Sequence, residues 1–285
     1  MSNFFRILFT KPDQLTEPYR KIPRFTYRTN FEEIPNTKIS SDSGWGCCYR
    51  CCQSIAGNYL RILMSLDPKS ILENDKLPKE ENILLFFKDC LSAPFSLQNL
   101  VQETIQFNDK PGTWAQPSHV ASAMKNLFQK HSLSCEVNLN VPVDFNLIDN
   151  LRFPCLYMFS LRLGLDKFEY KDYSEFLKAV FTFDETIGLI SGRSGSAFYI
   201  VKIDDNGDVF YFDPHVTQSA MVESGHVLTL FNQQIMKMKM KNLNQSILLC
   251  FACKNNEETK TMFLKLSKLP NSPIAIGETV FDVEI

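Results

Sequence analysis

At 285 residues, with 44% hydrophobic and 22% charged side chains, the chain is long enough for one large core and ordinary in composition for a globular protein. Its formal net charge of −2 leaves no strong electrostatic footprint for nucleic acid. The nine cysteines are odd in number, and four crowd into Cys47, Cys48, Cys51 and Cys52, a bunching that favours reduced thiols over a disulfide framework.

In chain order, the first apolar run, Phe4 to Phe9, is broken by Arg6 and is too short for a signal segment or a membrane span. A soluble, cytoplasmic protein is therefore expected. Phe25-Thr26-Tyr27-Arg28 reads as a strand, and a polar, proline-containing loop from Glu32 to Ser43 follows. From Cys47 to Met64 apolar residues recur at Cys48, Cys51, Ile55, Leu60 and Leu63, which predicts a buried central helix. Asn82 to Leu91 and Pro117 to Phe128 are further helix candidates, the second with proline at its start. Leu156 to Leu163 predicts a strand and Tyr173 to Phe181 a helix. Ala197 to Ile203 and Asp208 to Phe212 flank an Asn206-Gly207 turn and predict a hairpin, and Ser246 to Cys253 predicts one more buried strand. Helices early and strands late favour an α+β class.

The stretch Asp42-Ser43-Gly44-Trp45-Gly46-Cys47 puts a cysteine between a glycine-hinged turn and a helix start. Unpaired N–H groups and the positive end of the helix dipole favour a thiolate there, and the thiolate is the nucleophile. A nucleophile of this kind needs a base, and the chain has four histidines, His119, His131, His215 and His226. His215 stands out in Asp213-Pro214-His215, directly after a predicted strand. Residues two apart in an extended chain point the same way, so the Asp213 carboxylate is placed to orient one ring nitrogen and leave the other for a thiol. Taken singly, an Asp-x-His is more often a surface loop, and a cysteine in an apolar helix is more often a packing residue. The pair is the stronger signal, although spacing alone does not bring the two together.

Several ordered motifs resemble one family. Phe25-Thr26-Tyr27-Arg28-Thr29-Asn30-Phe31, Ser41 through Cys47 with Arg50 and Gln53, Leu161 to Leu165, Gly188 to Gly192, and Tyr211-Phe212-Asp213-Pro214-His215-Val216-Thr217-Gln218 are similar to the autophagins. These are cysteine proteases that process the ubiquitin-like modifier of autophagosomes. The resemblance implies a single papain-like α+β domain over residues 1–285, with a small accessory insertion at about 128–186. It implies Cys47 as nucleophile, His215 as base, Asp213 as its orienter and Tyr27 as an oxyanion donor. Trp114 would flank a narrow groove for the substrate's terminal glycine, and Gly192-Arg193-Ser194-Gly195 would form a mobile loop over it. Cys48 stands where the family usually has methionine, Cys52 replaces a common glycine, and Ser194 a proline. The terminal stretches Phe5 to Leu8 and Val280 to Ile285 only loosely resemble a modifier-binding motif.

The implied function is cleavage after the glycine of the modifier, both maturing its precursor and releasing it from phosphatidylethanolamine. No cofactor or metal is expected, the chain would act as a monomer, and it would meet membrane only through lipidated substrate. Three alternatives remain. The ubiquitin-fold-modifier peptidases share the Gly-Trp-Gly-Cys and Asp-Pro-His signatures. A zinc module could use the crowded cysteines with Cys250-x-x-Cys253. A catalytically dead protein could hold the modifier without cleaving it.

Overall fold

The computed structural model describes residues 19–66, 80–139, 142–193, 195–231 and 234–277. In chain order these contain β1 (Arg28–Thr29), α1 (Cys47–Leu66), α2 (Glu80–Leu84), α3 (Leu97–Thr104), α4 (Pro117–Lys130), β2 (Cys135–Asn138), β3 (Val143–Asp144), α5 (Phe145–Asp149) and β4 (Cys155–Arg162). Then come α6 (Tyr170–Val180), β5 (Thr186–Arg193), β6 (Ser196–Ile203), β7 (Asp208–Phe212), β8 (Gln218–Ser219), β9 (Met236–Lys239), β10 (Ser246–Cys253), α7 (Asn256–Ser267) and β11 (Ile276–Gly277).

Seven strands form one sheet in the order β2-β4-β10-β5-β6-β7-β9, antiparallel except for the β2–β4 pair. The apolar run of β10 shows why this sheet sits at the centre. Leu248, Cys250 and Ala252 enter one core, while Ile247, Leu249, Phe251 and Cys253 enter another. A strand buried on both faces has no need of polar alternation. On the first face α1 packs Cys48, Cys51, Ile55, Ala56 and Leu60 with Met124 and Phe128 of α4. On the second, Phe176 and Leu177 of α6 and Met262, Phe263 and Leu266 of α7 cover Tyr157, Phe159 and Phe251. Each large apolar side chain so buried contributes roughly 1.5–3 kcal/mol.

A cysteine-headed helix laid across an antiparallel sheet that leads into a histidine loop is the papain-like arrangement, so the α+β expectation holds. The segment about 128–186, expected as an accessory insertion, supplies β2 and β4 to this same sheet and α6 to its far face. Two elements differ from the expectation. The strand expected at Phe25–Arg28 ladders only at Arg28–Thr29, because Phe25 N donates to Ser54 Oγ at 2.9 Å and Tyr27 N to Pro214 O at 2.9 Å. The helix expected over Asn82–Leu91 stops in a short 3₁₀ turn at Phe87; Lys88 turns extended, and Asp89 N donates to Met221 O at 2.9 Å. Among the described residues no helix is long and apolar enough to cross a membrane. The terminal stretches Phe4 to Phe9 and Val280 to Ile285 lie outside the described residues.

Candidate active site

The cysteine turn is closed by its own backbone: Gly46 N and Trp45 N both donate to Asp42 O, at 2.9 and 3.2 Å. A Cβ on Gly46 would lie 2.2 Å from Asp42 Oδ2, so glycine alone lets the carboxylate fold beneath the turn. Trp45 Nε1 donates to Ser41 O at 3.0 Å, and its ring meets Tyr49 edge-on at 5.9 Å. The tryptophan of the motif therefore staples the turn to the first coil of α1. Cys47 is the first residue of that helix, where backbone N–H groups have no partner within the helix.

The histidine arrives from the other side through residues 27–29. Tyr27 N donates to Pro214 O, Gln218 N donates back to Tyr27 O, both at 2.9 Å, and β1 pairs in parallel with β8. The same short segment holds the cysteine turn: Asp42 N donates to Arg28 O at 3.2 Å and Arg28 N to Asp42 Oδ1 at 2.6 Å. One extended stretch thus clips both halves of the site together.

His215 Nδ1 lies 2.5 Å from Asp213 Oδ1, and the same oxygen accepts from His215 N at 2.9 Å. That leaves Nε2 for the Cys47 thiol, and the two side chains lie close enough that each favours the charged form of the other. The Tyr27 side chain and the backbone N–H of Ala197, the second residue of β6, also act on this sulfur and help set its titration. Tyr27 and Phe198 meet the imidazole edge-on, with ring centres at 5.3 and 5.6 Å, and fix its plane.

The electrostatics follow from these contacts. Burial pushes the Cys47 thiol up, but the His215 hydrogen bond, the Ala197 N–H and the imidazolium charge outweigh it and hold the group below its ordinary 9.0. His215 is raised to about 9, first by its bond to Asp213 and then by Cys47. Burial also pushes Asp213 up, yet the His215 ring and backbone bonds bring it below its usual value. The Cys47 and His215 shifts both favour a thiolate beside an imidazolium. Burial pushes Tyr27 up, reinforced by the charge on Cys47, so its hydroxyl keeps its proton. The neighbouring thiols behave oppositely: burial drives Cys48 and Cys51 well above 9.0 and Cys52 to about 12.

The structure therefore brings Cys47, His215, Asp213 and Tyr27 together. Trp114 stands on the loop before α4 with 47% of its surface exposed, so it is no core anchor. Gly192 and Arg193 end β5, where a Cβ on Gly192 would lie 1.8 Å from Ser196 O. Arg193 faces Ser196 across the hairpin, Gly195 turns with φ +77°, and Ser194 lies outside the described residues. The described residues of the stretch expected as a loop, Gly192, Arg193 and Gly195, thus lie at the β5–β6 end, two to five residues before Ala197. Of the cysteines in the zinc alternative, Cys250 lies with the crowded four in one core and Cys253 enters the other. Among the described residues no group of three His, Cys, Asp or Glu is placed to hold a metal.

Three features escaped the sequence. The Ala197 N–H has no side-chain signal. Asp109 accepts from His119 Nδ1 at 3.1 Å, making a second His–Asp pair stacked on Phe107. Asp89 approaches Arg50 from a segment with no motif at all. Asp42 and Arg50 were visible as parts of the cysteine motif, without a role.

Comparison with known proteins gives one family. The profile described as the peptidase C54 catalytic domain matches residues 12–265. Cysteine protease atg4 of Emericella nidulans is 26% identical, across 87% of this chain and 71% of its own length. The probable cysteine protease atg4 of Schizosaccharomyces pombe is 31% identical, across 82% of this chain and 70% of its own. Cysteine protease ATG4 of Saccharomyces cerevisiae is 26% identical across 81% of this chain, which spans only 48% of that relative. Among solved structures, UfSP from C. elegans matches with a TM-score of 0.38 and 14% identity, over 84% of this chain and 37% of that one.

Proposed function

The chain belongs to the peptidase C54 family, and from that premise we propose that it is a cysteine endopeptidase cutting after the C-terminal glycine of an autophagy ubiquitin-like modifier. It both matures the modifier's precursor and releases the modifier from phosphatidylethanolamine. The observation that carries this proposal is the juxtaposition of the Cys47 sulfur with a His215 ring held by Asp213, with the Tyr27 side chain beside the same sulfur. The names of the relatives, cysteine protease atg4, support the autophagy substrate.

The Cys47 thiolate attacks the glycine carbonyl carbon. The carbonyl oxygen takes the negative charge and is met by the Tyr27 hydroxyl and the Cys47 backbone N–H, donors fixed before the reaction begins. His215 gives its proton to the leaving amine, and the C–N bond breaks to leave a thioester on Cys47. His215, now neutral, takes a proton from water, which attacks the thioester and returns the thiolate and imidazolium. Asp213 holds the ring orientation throughout and stabilises the imidazolium. Trp114 and the Gly192–Gly195 connection border the groove that admits a glycine pair and excludes side chains. The lipid amine is chemically the same leaving group as a peptide amine, so one site serves both substrates.

Incubation of the full chain with tagged modifier precursor, and with modifier conjugated to phosphatidylethanolamine, tests this. Both should be cut by the natural chain and neither by Cys47→Ala. Processing that survives Cys47→Ala removes the assignment. A tail panel separates modifiers: cleavage after Phe-Gly supports the autophagy modifier, while cleavage only after Val-Gly would transfer the chain to ubiquitin-fold-modifier peptidases.

A further inference from the structure

We propose that Arg50 is a positioning residue that sets the spacing of Cys47 and His215, by tying Asp42 in the cysteine turn to Asp89, which grips the strand leaving the histidine. This rests on the catalytic roles proposed above for Cys47 and His215.

Arg50 lies one turn along α1 from Cys47 and is fully buried. Its Nε donates to Asp42 Oδ2 at 2.8 Å and its Nη2 to Asp42 Oδ1 at 3.2 Å, a two-pronged hold on the cysteine turn. Its Nη1 donates to Asp89 Oδ1 at 2.7 Å and to Gln53 Oε1 at 3.0 Å. Asp89 in turn exchanges two bonds with Met221: Met221 N donates to Oδ2 at 2.7 Å, and Asp89 N donates to Met221 O at 2.9 Å. Met221 lies just past β8, on the chain that leaves His215. One guanidinium, through Asp89, therefore links the nucleophile's turn to the chain that leaves the base.

Arg28, also buried, completes the set by donating through Nη1 to Ser219 O at 2.9 Å and through Nη2 to Thr229 Oγ1 at 3.0 Å. Arg28 and Arg50 against Asp42 and Asp89 make two cations and two anions, all buried. A buried ion network is commonly no more stabilising than apolar packing of the same volume, and its members are costly to break singly. Its location between the two reacting halves gives it a geometric use: the fork of an arginine has one fixed span, whereas an apolar contact slides. A displacement of about 1 Å between reacting groups costs on the order of a hundredfold in rate.

Arg50→Lys keeps the charge and removes the fork; Asp89→Asn keeps the shape and removes one charge. Both should lower kcat on the order of a hundredfold with KM unchanged. Both should also move the acid limb of kcat/KM to higher pH, because a Cys47 thiolate that loses its imidazolium contact is harder to form. The sign of that move separates geometry from field. Losing the negative charge of Asp89 would by itself favour the thiolate and move the limb down. Iodoacetamide alkylation against pH, with the Cys47→Ala rate subtracted, reads the same titration without substrate. A folded variant with natural kcat and an unmoved limb, or with the limb moved down, overturns the proposal. Should Arg50→Lys fail to fold, Asp89→Asn decides. A variant that only melts earlier, with kcat and pH profile intact below its Tm, also overturns it. Processing that survives Cys47→Ala would instead strike the catalytic assignment beneath.

Discussion

The sheet face beneath α1 and the face beneath α6 and α7 are built from the same strands but filled with different chemistry. The first side buries Arg28, Arg50, Asp42, Asp89 and Gln53 around the candidate site. The second side buries rings and branched chains, with Phe263 against Tyr157 at 4.9 Å and Phe251 at 6.0 Å, and with Ser174 and Thr259 as its polar members on α6 and α7. Burying charge is at best neutral for stability, whereas burying apolar surface is its main source. Both faces thus hold the fold through apolar packing, and the first also spends part of its stability on position. The cysteines divide the same way: Cys47 is tuned below 9.0 by partners, while burial drives Cys253, on the far face, well above it.

The largest test of this contrast removes the base. His215→Ala should lower kcat/KM on the order of 10⁴-fold or more, and Cys47 should lose its reactivity toward iodoacetamide near neutral pH. Cys253→Ala, a deletion in the apolar face, should leave kcat/KM as it is. Activity that falls equally in both would mean that the two faces are not separable. Next in size is Phe263→Ala, which should destabilise by about 3–5 kcal/mol in urea unfolding. The folded fraction should keep natural kcat/KM; a lowered kcat there would show that the far face also sets the site.

The pH profile sharpens the comparison on a smaller scale. With Cys47 below 9.0 and His215 raised to about 9, the active ion pair exists above the thiol's lowered pKa and below the imidazolium's raised one. kcat/KM should therefore rise tenfold per pH unit on the acid side as the thiolate forms, and fall above about 9 as His215 loses the proton it must donate. The two limbs belong to the pair rather than to either residue alone. Asp213→Asn removes the main partner that raises His215 and should bring the basic limb down. A basic limb that stays in place would assign it to another group.

Much of this was legible from the chain itself, for identifiable reasons. Helix α1, β4, the β6–β7 hairpin and β10 all came from apolar periodicity and an Asn-Gly turn, because local pattern and tertiary burial agree there. The Cys47 and His215 loops were found because their motifs are contiguous. Helix α7 was overlooked although Asn255 caps Glu258 N at 2.9 Å and Glu257 and Glu258 fill its first turn, a start signal present in the sequence. Asp89 could not have been found: nothing local marks an aspartate whose purpose is to meet an arginine thirty-nine positions earlier and a backbone far downstream. The strand expected at Phe25–Arg28 shrinks to Arg28–Thr29 for the same cause, since the Phe25 and Tyr27 N–H groups go to Ser54 and Pro214 rather than to a neighbouring strand.

The smallest expected effect lies at the lip of the site and isolates what burial adds. Ser43 Oγ and Thr217 Oγ1 are 3.2 Å apart, so they join the cysteine turn to the histidine loop from outside, as Arg50 joins them from within. Both hydroxyls are exposed, and water replaces their bond at little cost, so the link adds about 0.5 kcal/mol or less. Ser43→Ala should change kcat/KM by no more than about twofold and leave both limbs of the pH profile in place. The two links span the same gap and differ mainly in burial and charge. A large loss in Ser43→Ala would mean that connection across the gap, whatever its chemistry, is what the site needs. The expected silence would mean that only a desolvated, forked and charged link is stiff enough to hold the thiolate against the imidazolium.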